Sequence, residues 1–186
     1  MLSVLFEKAS EKAISAREIK RRMRVMMRQR QIDKREISIV ITDDKSIHKL
    51  NKEYRHKDKP TDVLSFSLQE GEFIEHARGA LGDIVVSLET AARQARENQR
   101  TLLEEVTFLL AHGLLHLLGY DHQTDKEERT MNRETETLLV PFSKPPKTSP
   151  AGAPKKAARS ASKPKKRAAP AAKKTAPVQS RKPRQK

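Results

Sequence analysis

The chain of 186 residues has no cysteine, no tryptophan and a formal charge of +15, which allows one domain with additional sequence. Without cysteine it can form neither a disulfide nor a zinc site with thiolate ligands. No apolar run approaches the roughly 18 residues that a membrane-spanning helix needs. The short apolar start, Met1 to Phe6, meets Glu7 too soon to form the core of a signal peptide. We therefore predict a cytoplasmic protein.

Two elements are predicted before residue 35. A weakly signalled strand covers 3–6. Further on, Ser15 and Glu18 have the spacing of a helix capping box, in which each side chain bonds the backbone of the other residue. Apolar residues then recur with helical periodicity. Their predicted place is the core: Ile19, Met23, Met26 and Met27.

Three strands are predicted in the middle of the chain. Isoleucine alternates with smaller or polar residues over 36–42, apolar residues alternate again over 62–68, and a continuous apolar stretch marks 82–87. In the second of these strands, one face is expected to carry Leu64, Phe66 and Leu68. Asp43 or Asp44 can cap a short helix after the first strand. With the N-terminal strand, the pattern predicts a small mixed sheet of about four strands.

Three further helices are predicted, at about 87–99, from Thr101 to Gly119, and at about 124–140. The last two each begin at a threonine that a glutamate follows three residues later, which is a capping box. The helix after Thr101 is apolar on most sides and should therefore be central. The prediction is an α+β fold, with helices around a small sheet and a central helix that carries histidines.

The positive charge is concentrated at the C-terminal end. From Ser143 onward the chain has 15 lysines and arginines, eight of the ten prolines and no acidic residue, which leaves 24 basic against 24 acidic residues in 1–142. A segment of this composition cannot bury enough apolar surface to fold. We predict a folded domain over 1–142 and a disordered basic tail over 143–186. Such a tail either attracts RNA or ribosomes nonspecifically or serves only as a solubilising extension.

Three histidines fall within the eleven residues from His112 to His122. His112 and His116 are four residues apart on a predicted helix, so their rings point to one side about 6 Å apart along the axis. Gly119 can end the helix in the left-handed conformation and turn the chain, so that His122 returns to the same face. Burying three imidazoles with no shared purpose would be unfavourable. Three imidazoles with an open fourth position are the ligand set of a catalytic zinc site, although nickel, copper and iron also bind imidazole.

This segment resembles the zinc-binding segment of the metzincin peptidases, with one departure. Those peptidases carry a glutamate directly after the first histidine as the general base, whereas this chain has Gly113. Glu104 and Glu105 lie about 10 to 12 Å from His112 along the helix axis, too far to take a proton from water there. Peptide hydrolysis is therefore disfavoured.

Two upstream segments carry a second resemblance. They are 50-LNKEYRHKDKPTDVLSF-66 and 81-LGDIVVS-87. Together with the histidine segment they resemble the YbeY family of bacterial rRNA-maturation endoribonucleases, over about 45–131. The resemblance implies one zinc ion bound by His112, His116 and His122. It also implies an endoribonuclease specific for single strands, which acts at the 3′ end of the small-subunit rRNA and in ribosome quality control. Ribosomal proteins or an assembly GTPase are the implied partners.

The catalytic residues that the resemblance implies are Arg55 and His112. A planar, permanently charged guanidinium such as that of Arg55 suits a phosphate and the charge that develops at phosphorus. A zinc ion on three neutral histidines lowers the pKa of its bound water toward about 7, so hydroxide forms without a dedicated base. Whether this hydroxide or the 2′-OH of RNA attacks stays open.

Two readings stay open both for Asp121 and for the function of the protein. Asp121 either accepts a ring N–H of a ligand histidine or caps the turn through the backbone. A non-catalytic, zinc-containing ribosome assembly factor is the second function considered; the missing general base favours it, and the open fourth position argues against it. Surface positions are predicted for the other histidines, His48, His56 and His76. Roles in turns and strand ends are predicted for Thr61, Asp62 and Asp83.

Overall fold

The computed structural model describes residues 1–7, 12–68 and 79–143. Within these ranges the chain forms four strands and five α-helices, followed by a 3₁₀ turn. The elements are β1 (Leu2–Phe6), α1 (Ala16–Gln29), β2 (Glu36–Thr42), α2 (Asp44–Arg55), β3 (Val63–Ser67), β4 (Ala80–Ser87), α3 (Leu88–Glu97), α4 (Leu102–Leu117), α5 (Asp125–Leu139) and the turn at Val140–Phe142. The predicted α+β fold with a small four-stranded sheet is confirmed. No helix in the described part of the chain is long and apolar enough to cross a membrane.

Two sequence predictions fall on residues that are not described. The tail after Ser143 and His76 lie outside the described residues. The disordered tail and its boundary with the domain at 142/143 therefore stay predictions.

The sheet has the strand order β1-β2-β4-β3, and it is mixed. β1, β2 and β4 run parallel, and β3 runs antiparallel to β4 at one edge of the sheet. Alternate residues of β2 point to opposite faces. On one face Ile39 belongs to the main core, and on the other Val40 packs with Leu64 of β3 under α2.

α4 is the central helix, as its sequence predicts. Ten of its sixteen residues are buried, and it packs against β3, β4 and the helices α1, α3 and α5. Its N-terminus carries the predicted capping box, because Thr101 accepts from the backbone N–H of Glu104, and Glu104 accepts from that of Thr101. Each fully buried leucine contributes about 1.5–3 kcal/mol to stability. The histidine-bearing helix is thus a rigid base for a site.

The capping box predicted at Ser15 does not form, which corrects the sequence prediction. Ser15 is the N-cap of α1, but its side chain makes no capping hydrogen bond. The Glu18 carboxylate instead accepts two hydrogen bonds from Arg21, from Nε at 3.1 Å and from Nη2 at 2.9 Å. The carboxylate that would complete the box is therefore paired with Arg21 rather than with the backbone N–H of Ser15.

The strand predicted over 62–68 is shorter than expected at its end. β3 stops at Ser67, and Leu68 is 37% exposed rather than part of a buried face. Leu64 is buried and Phe66 is half-buried. The alternation of apolar residues in the sequence therefore extends to Leu68, one residue beyond the end of β3.

Candidate metal centre

The three histidines of the motif lie together in the folded chain. His112 and His116 are one turn apart on α4, and their ring centroids are 4.8 Å apart. After α4, Gly119 adopts a φ of +85°, which favours glycine, and the N–H of Tyr120 bonds the carbonyl of Leu115 at 3.0 Å. This turn brings the His122 ring to 5.6 Å from that of His112 and 5.1 Å from that of His116. The predicted convergence is confirmed.

The geometry of the ring nitrogens fits a metal ion. One ligand nitrogen of each histidine lies within 4.8 Å of the others, and Nε2 of His112 is 3.2 Å from Nε2 of His116. Two ligands of a tetrahedral zinc ion with bonds of about 2.0 Å are about 3.3 Å apart. The donor set can therefore hold a metal ion, and its chemistry does not distinguish zinc from other metals that prefer imidazole.

The surroundings keep the imidazoles in the form that binds metal. The pKa of His112 is lowered to about 4, first by burial and then by the nearby His116 and His122, whereas Asp62 opposes the shift. The pKa of His116 is also lowered, first by burial and then by His122. Both rings are thus neutral at neutral pH, which is the state that donates a lone pair to a metal.

A polar cleft of about 590 Å³ opens beside these histidines. Its walls come from the segment between α2 and β3, from β3 itself and from the turn after α4. Three cationic side chains line it, Arg55, Lys57 and Lys59, together with His112, His116 and His122. The cleft therefore joins a possible metal site with several fixed positive charges.

Arg55 lies at the C-terminal end of α2 and reaches the edge of the sheet. Its Nη2 donates to the carbonyl oxygen of Ser65 at 3.3 Å, which anchors the guanidinium beside β3. A guanidinium has five N–H donors in all, so most remain available for a ligand in the cleft. Arg55 also contributes to the lowered pKa of His116, after burial and the other charges.

The sequence matches the family model described as endoribonuclease YbeY over residues 5–143. The chain belongs to the YbeY family. It is 50% identical over 106 residues to the endoribonuclease YbeY of Pelotomaculum thermopropionicum, covering 56% of this chain and 70% of that relative. It is 53% identical over 105 residues to that of Aquifex aeolicus, covering 56% and 68%. The solution structure of a Thermotoga maritima protein is similar with a TM-score of 0.50 and 25% identity, covering 83% of this chain and 100% of the other.

Membership of the YbeY family confirms the family predicted from the motifs and the enzyme class, an RNA-cleaving hydrolase. The cluster of three histidines could hold a metal ion, which is compatible with a metal-dependent enzyme of that class. The individual roles of Arg55 and His112, and the metal itself, stay predictions at this point.

Gly113 replaces the general base of the metzincins, and the fold of this YbeY family member leaves no space for a side chain there. A Cβ atom at this position would lie 2.9 Å from Cγ2 of Ile84 and 3.0 Å from Oγ of Ser65. The Ser65 hydroxyl also donates to the Gly113 carbonyl at 3.2 Å. α4 therefore packs too closely on β3 and β4 for a glutamate.

The two glutamates at the start of α4 are also engaged elsewhere. Glu105 is buried, and its carboxylate accepts from Arg100 at 3.0 Å and from Asn98 at 3.3 Å. Glu104 belongs to the capping box with Thr101. Neither residue lines the cleft, which agrees with the prediction that they do not act on water at His112.

Of the two alternatives for Asp121, the structure shows the turn cap. Its Oδ1 accepts from the backbone N–H of His122 at 2.8 Å, and its Oδ2 accepts from the side chain of Gln123 at 2.6 Å. The Nδ1 atom of the His122 ring is 3.9 Å from Oδ1, too far for a hydrogen bond. Asp121 therefore shapes the turn that presents His122.

Asp62 has the predicted role at a strand end, and it also lines the cleft, which sequence reasoning missed. Its carboxylate accepts from the backbone N–H of Val63 at 2.8 Å and from Gln94 at 2.9 Å, so it fixes the start of β3 against α3. It also lines the cleft, and its charge acts on His112. The sequence offers no signal for the role in the cleft, because His112 lies on α4, some fifty residues away along the chain.

Asn51 is a second residue that sequence reasoning missed. It is 3% exposed, and its side chain donates to the carbonyl of Lys59 at 2.7 Å, while its own carbonyl accepts from the N–H of Lys57 at 3.2 Å. Asn51 thus holds the segment that carries both cleft lysines. Asn51 lies within the first YbeY-like segment, 50–66, and this position in the sequence could have indicated its importance.

The remaining described histidines lie at the surface, as predicted. His48 bonds Asp58 at 2.7 Å on the outside of α2, and His56 is exposed at the C-terminal cap of that helix, with a φ of +56°. Neither residue lines the cleft.

Proposed function

We propose that this protein is a single-strand-specific, zinc-dependent endoribonuclease that matures the 3′ end of the small-subunit rRNA and acts in ribosome quality control. Membership of the YbeY endoribonuclease family supports RNA cleavage in rRNA processing. The observation that carries the finer proposal is the convergence of three imidazoles in a cleft that Arg55 also lines. In this proposal it works in the cytoplasm, with ribosomal proteins or an assembly GTPase as partners.

The proposed zinc ligands are His112, His116 and His122, and the geometry of their nitrogens supports this assignment. A bound zinc ion would supply Lewis acidity toward a phosphoryl oxygen and lower the pKa of water. His112 is also the proposed catalytic histidine. Burial keeps its ring neutral, which is the form that binds a metal ion. No side chain at Gly113 can serve as a base.

Arg55 is proposed to bind the scissile phosphate and to stabilise the charge that develops there. Its anchor on the Ser65 carbonyl orients the guanidinium, and preorganised donors are more effective than mobile ones in the transition state. Lys57 and Lys59 lie in the same cleft and suit the phosphates on either side, since a compact ammonium group binds phosphate as a point charge.

Selectivity for single strands is supported by the size and chemistry of the cleft. Its volume of about 590 Å³ is in the range of pockets that enclose a small ligand, ~300–1,000 Å³. A cleft of this size accommodates a short length of unpaired RNA. The lining is mainly polar and cationic, which suits a sugar-phosphate backbone.

A non-catalytic, zinc-containing assembly factor remains the second candidate. The observation that favours it is Gly113, because no carboxylate takes the place of the general base there. The cleft beside the histidines argues for catalysis, since a metal that only stabilises a fold is usually enclosed by four protein ligands.

Cleavage of end-labelled RNA by the purified, zinc-loaded protein tests the proposal. We expect the wild type to cut single-stranded RNA and to leave the matching duplex intact. His122→Ala removes an exposed ligand with little effect on the core and should abolish cleavage, whereas the control His48→Ala should cleave like the wild type. Equal cleavage by His122→Ala would identify a contaminant and reject the proposal. RNA binding without cleavage by the wild type would support the assembly factor.

A further inference from the structure

The outer face of α1 carries an unusual density of positive charge. The helix contains six basic residues and one acidic residue, Glu18. Four exposed arginines recur every three or four residues: Arg17, Arg21, Arg24 and Arg28. With 100° per residue, they fall within about 60° of the helix circumference and extend about 16 Å along it. We call these four arginines the basic ridge.

The basic ridge adds little to the stability of α1, although Arg28 in the last turn suits the helix macrodipole. Like charges three or four residues apart repel each other, and a cation in the first turn, such as Arg17, opposes the helix macrodipole. Arg21 pairs with Glu18, but the other three arginines form no salt bridge with a described residue. The opposite face stabilises the helix through its buried residues, Ile19, Met23, Met26 and Met27.

The pattern suits a polyanion in water rather than a lipid surface. A helix that binds a membrane surface needs an exposed apolar face, whereas the apolar face of α1 is in the core. The large hydrophobic residues exposed in the described part of the chain all lie outside α1: Met1, Leu5, Tyr54, Leu68 and Val140. A line of arginines about 16 Å long matches the repeated charges of a nucleic acid backbone.

The basic ridge is separate from the cleft. α1 packs against β1 and α4, and β1 is the edge strand opposite β3, where Arg55 is anchored. Arg22 of α1 lies over the ring of Phe142, 5.0 Å from its centroid. The last described residues therefore lie beside α1.

We propose that the basic ridge is a second RNA-binding surface, which holds RNA backbone outside the cleft that contains the histidines. It contacts phosphates and reads no base sequence. A long RNA would then engage the cleft and the basic ridge together, whereas a short oligonucleotide would engage the cleft alone. The inference rests on the proposed function for the identity of the ligand as RNA.

The salt dependence of RNA binding tests the inference in the full-length protein. The ridge variant is Arg17→Gln, Arg24→Gln, Arg28→Gln, in which glutamine keeps a similar helix propensity. The control variant is Lys45→Gln, Lys49→Gln, Arg129→Gln, which removes three exposed positive charges from α2 and α5. The tail is present in both. Each lost phosphate contact lowers the slope of log K against log salt by about 0.7 to 0.9.

We expect the slope to fall by about 2 in the ridge variant and to stay near the wild-type value in the control variant. Equal slopes for the two variants would overturn the inference. If the ridge variant does not fold, Arg24→Gln and Arg28→Gln are measured singly, and each should lower the slope by just under one unit, ~0.7 to 0.9. Wild-type slopes in both single variants would overturn it as well. Binding to vesicles of phosphatidylserine that requires the basic ridge, with RNA binding unchanged, would assign the surface to lipid instead.

Cleavage kinetics separate this inference from the proposed function. For a long RNA the ridge variant should raise KM and leave kcat unchanged, and for a short oligonucleotide both constants should match the wild type. Cleavage of long RNA with unchanged KM would reject the basic ridge while the proposed function stands. Binding of RNA through the basic ridge by a wild-type protein that cleaves nothing would reject the function while the basic ridge stands.

Discussion

Nε2 of His112 lies 3.2 Å from Nε2 of His116. This separation is close to the edge of a zinc tetrahedron, about 3.3 Å. At this distance an N–H of one ring can donate a hydrogen bond to the unprotonated nitrogen of the other. His112 and His116 would hold a metal ion through these same two nitrogens, and the first prediction follows from this arrangement.

We expect the purified protein to contain one zinc ion per chain after equilibration with zinc. His116→Ala should lower the bound metal at least tenfold, because it leaves only two of the three proposed ligands. Elemental analysis after gel filtration measures this ratio. The control is His48→Ala, which removes a histidine that lies outside the cluster. A similar zinc content in His116→Ala and the control would contradict the assignment.

The stability of the metal-free protein should depend on pH through His112. The pKa of this ring is about 4 in the folded protein and near 6.5 without the fold. Between these values the unfolded chain binds the proton and the folded chain does not, so the free energy of unfolding falls as the pH is lowered from 6.5 to 4. Urea unfolding of the metal-free protein at several pH values measures the decrease. His112→Gln cannot titrate and should show a smaller decrease; an identical pH profile would refute this origin.

Gly113→Ala should destabilise the protein although alanine favours a helix. The added Cβ would meet Cγ2 of Ile84 at 2.9 Å, and such overpacking costs about 1–3 kcal/mol, more than the ~1 kcal/mol of helix propensity that alanine contributes. The free energy of unfolding measures the difference. In an Ile84→Ala background, which removes the contacted atom, the loss from Gly113→Ala should be smaller. An equal loss in both backgrounds would show that Ile84 is not the obstacle.

Arg55→Ala should lower RNA cleavage by about 10²- to 10³-fold, the usual effect of removing a preorganised donor to the transition state. Arg55→Lys should recover little of this activity, because an ammonium cannot reproduce the planar fork of donors. Single-turnover cleavage assays measure the rate, and zinc content and circular dichroism check that the site and fold persist. Lys49→Ala, an exposed change on the same helix, is the control. Wild-type cleavage by Arg55→Ala would exclude the proposed role.

Local patterns predicted most of the secondary structure. β2 was predicted with its observed bounds, Glu36–Thr42, because alternating isoleucines suit only a strand with buried faces. The capping boxes at Thr101 and Thr124 formed as predicted. The box at Ser15 did not, and Glu18 pairs with Arg21 instead. A spacing rule does not include such alternative partners among neighbouring side chains.

Asn51 and Asp62, which sequence reasoning missed, act through contacts that only the folded chain creates. Asn51 acts through Lys59 in a loop that folds back on α2. Asp62 acts on His112 only because β3 and α4 are neighbours in the fold. Gly113 was recognised as the absence of a base, whereas the close approach of Ile84 explains why no side chain fits.

The amino-acid sequence by itself determined that His112 and His116 share one side of a helix, since a separation of four residues has that result in any α-helix. It also determined the family, through motifs that are contiguous in the chain. Only the tertiary structure decided that Arg55 and these histidines line one cleft, because the antiparallel pairing of β3 with β4 brings a segment some sixty residues away to the end of α4. Such pairing follows from the burial of the whole sheet, which no local pattern specifies.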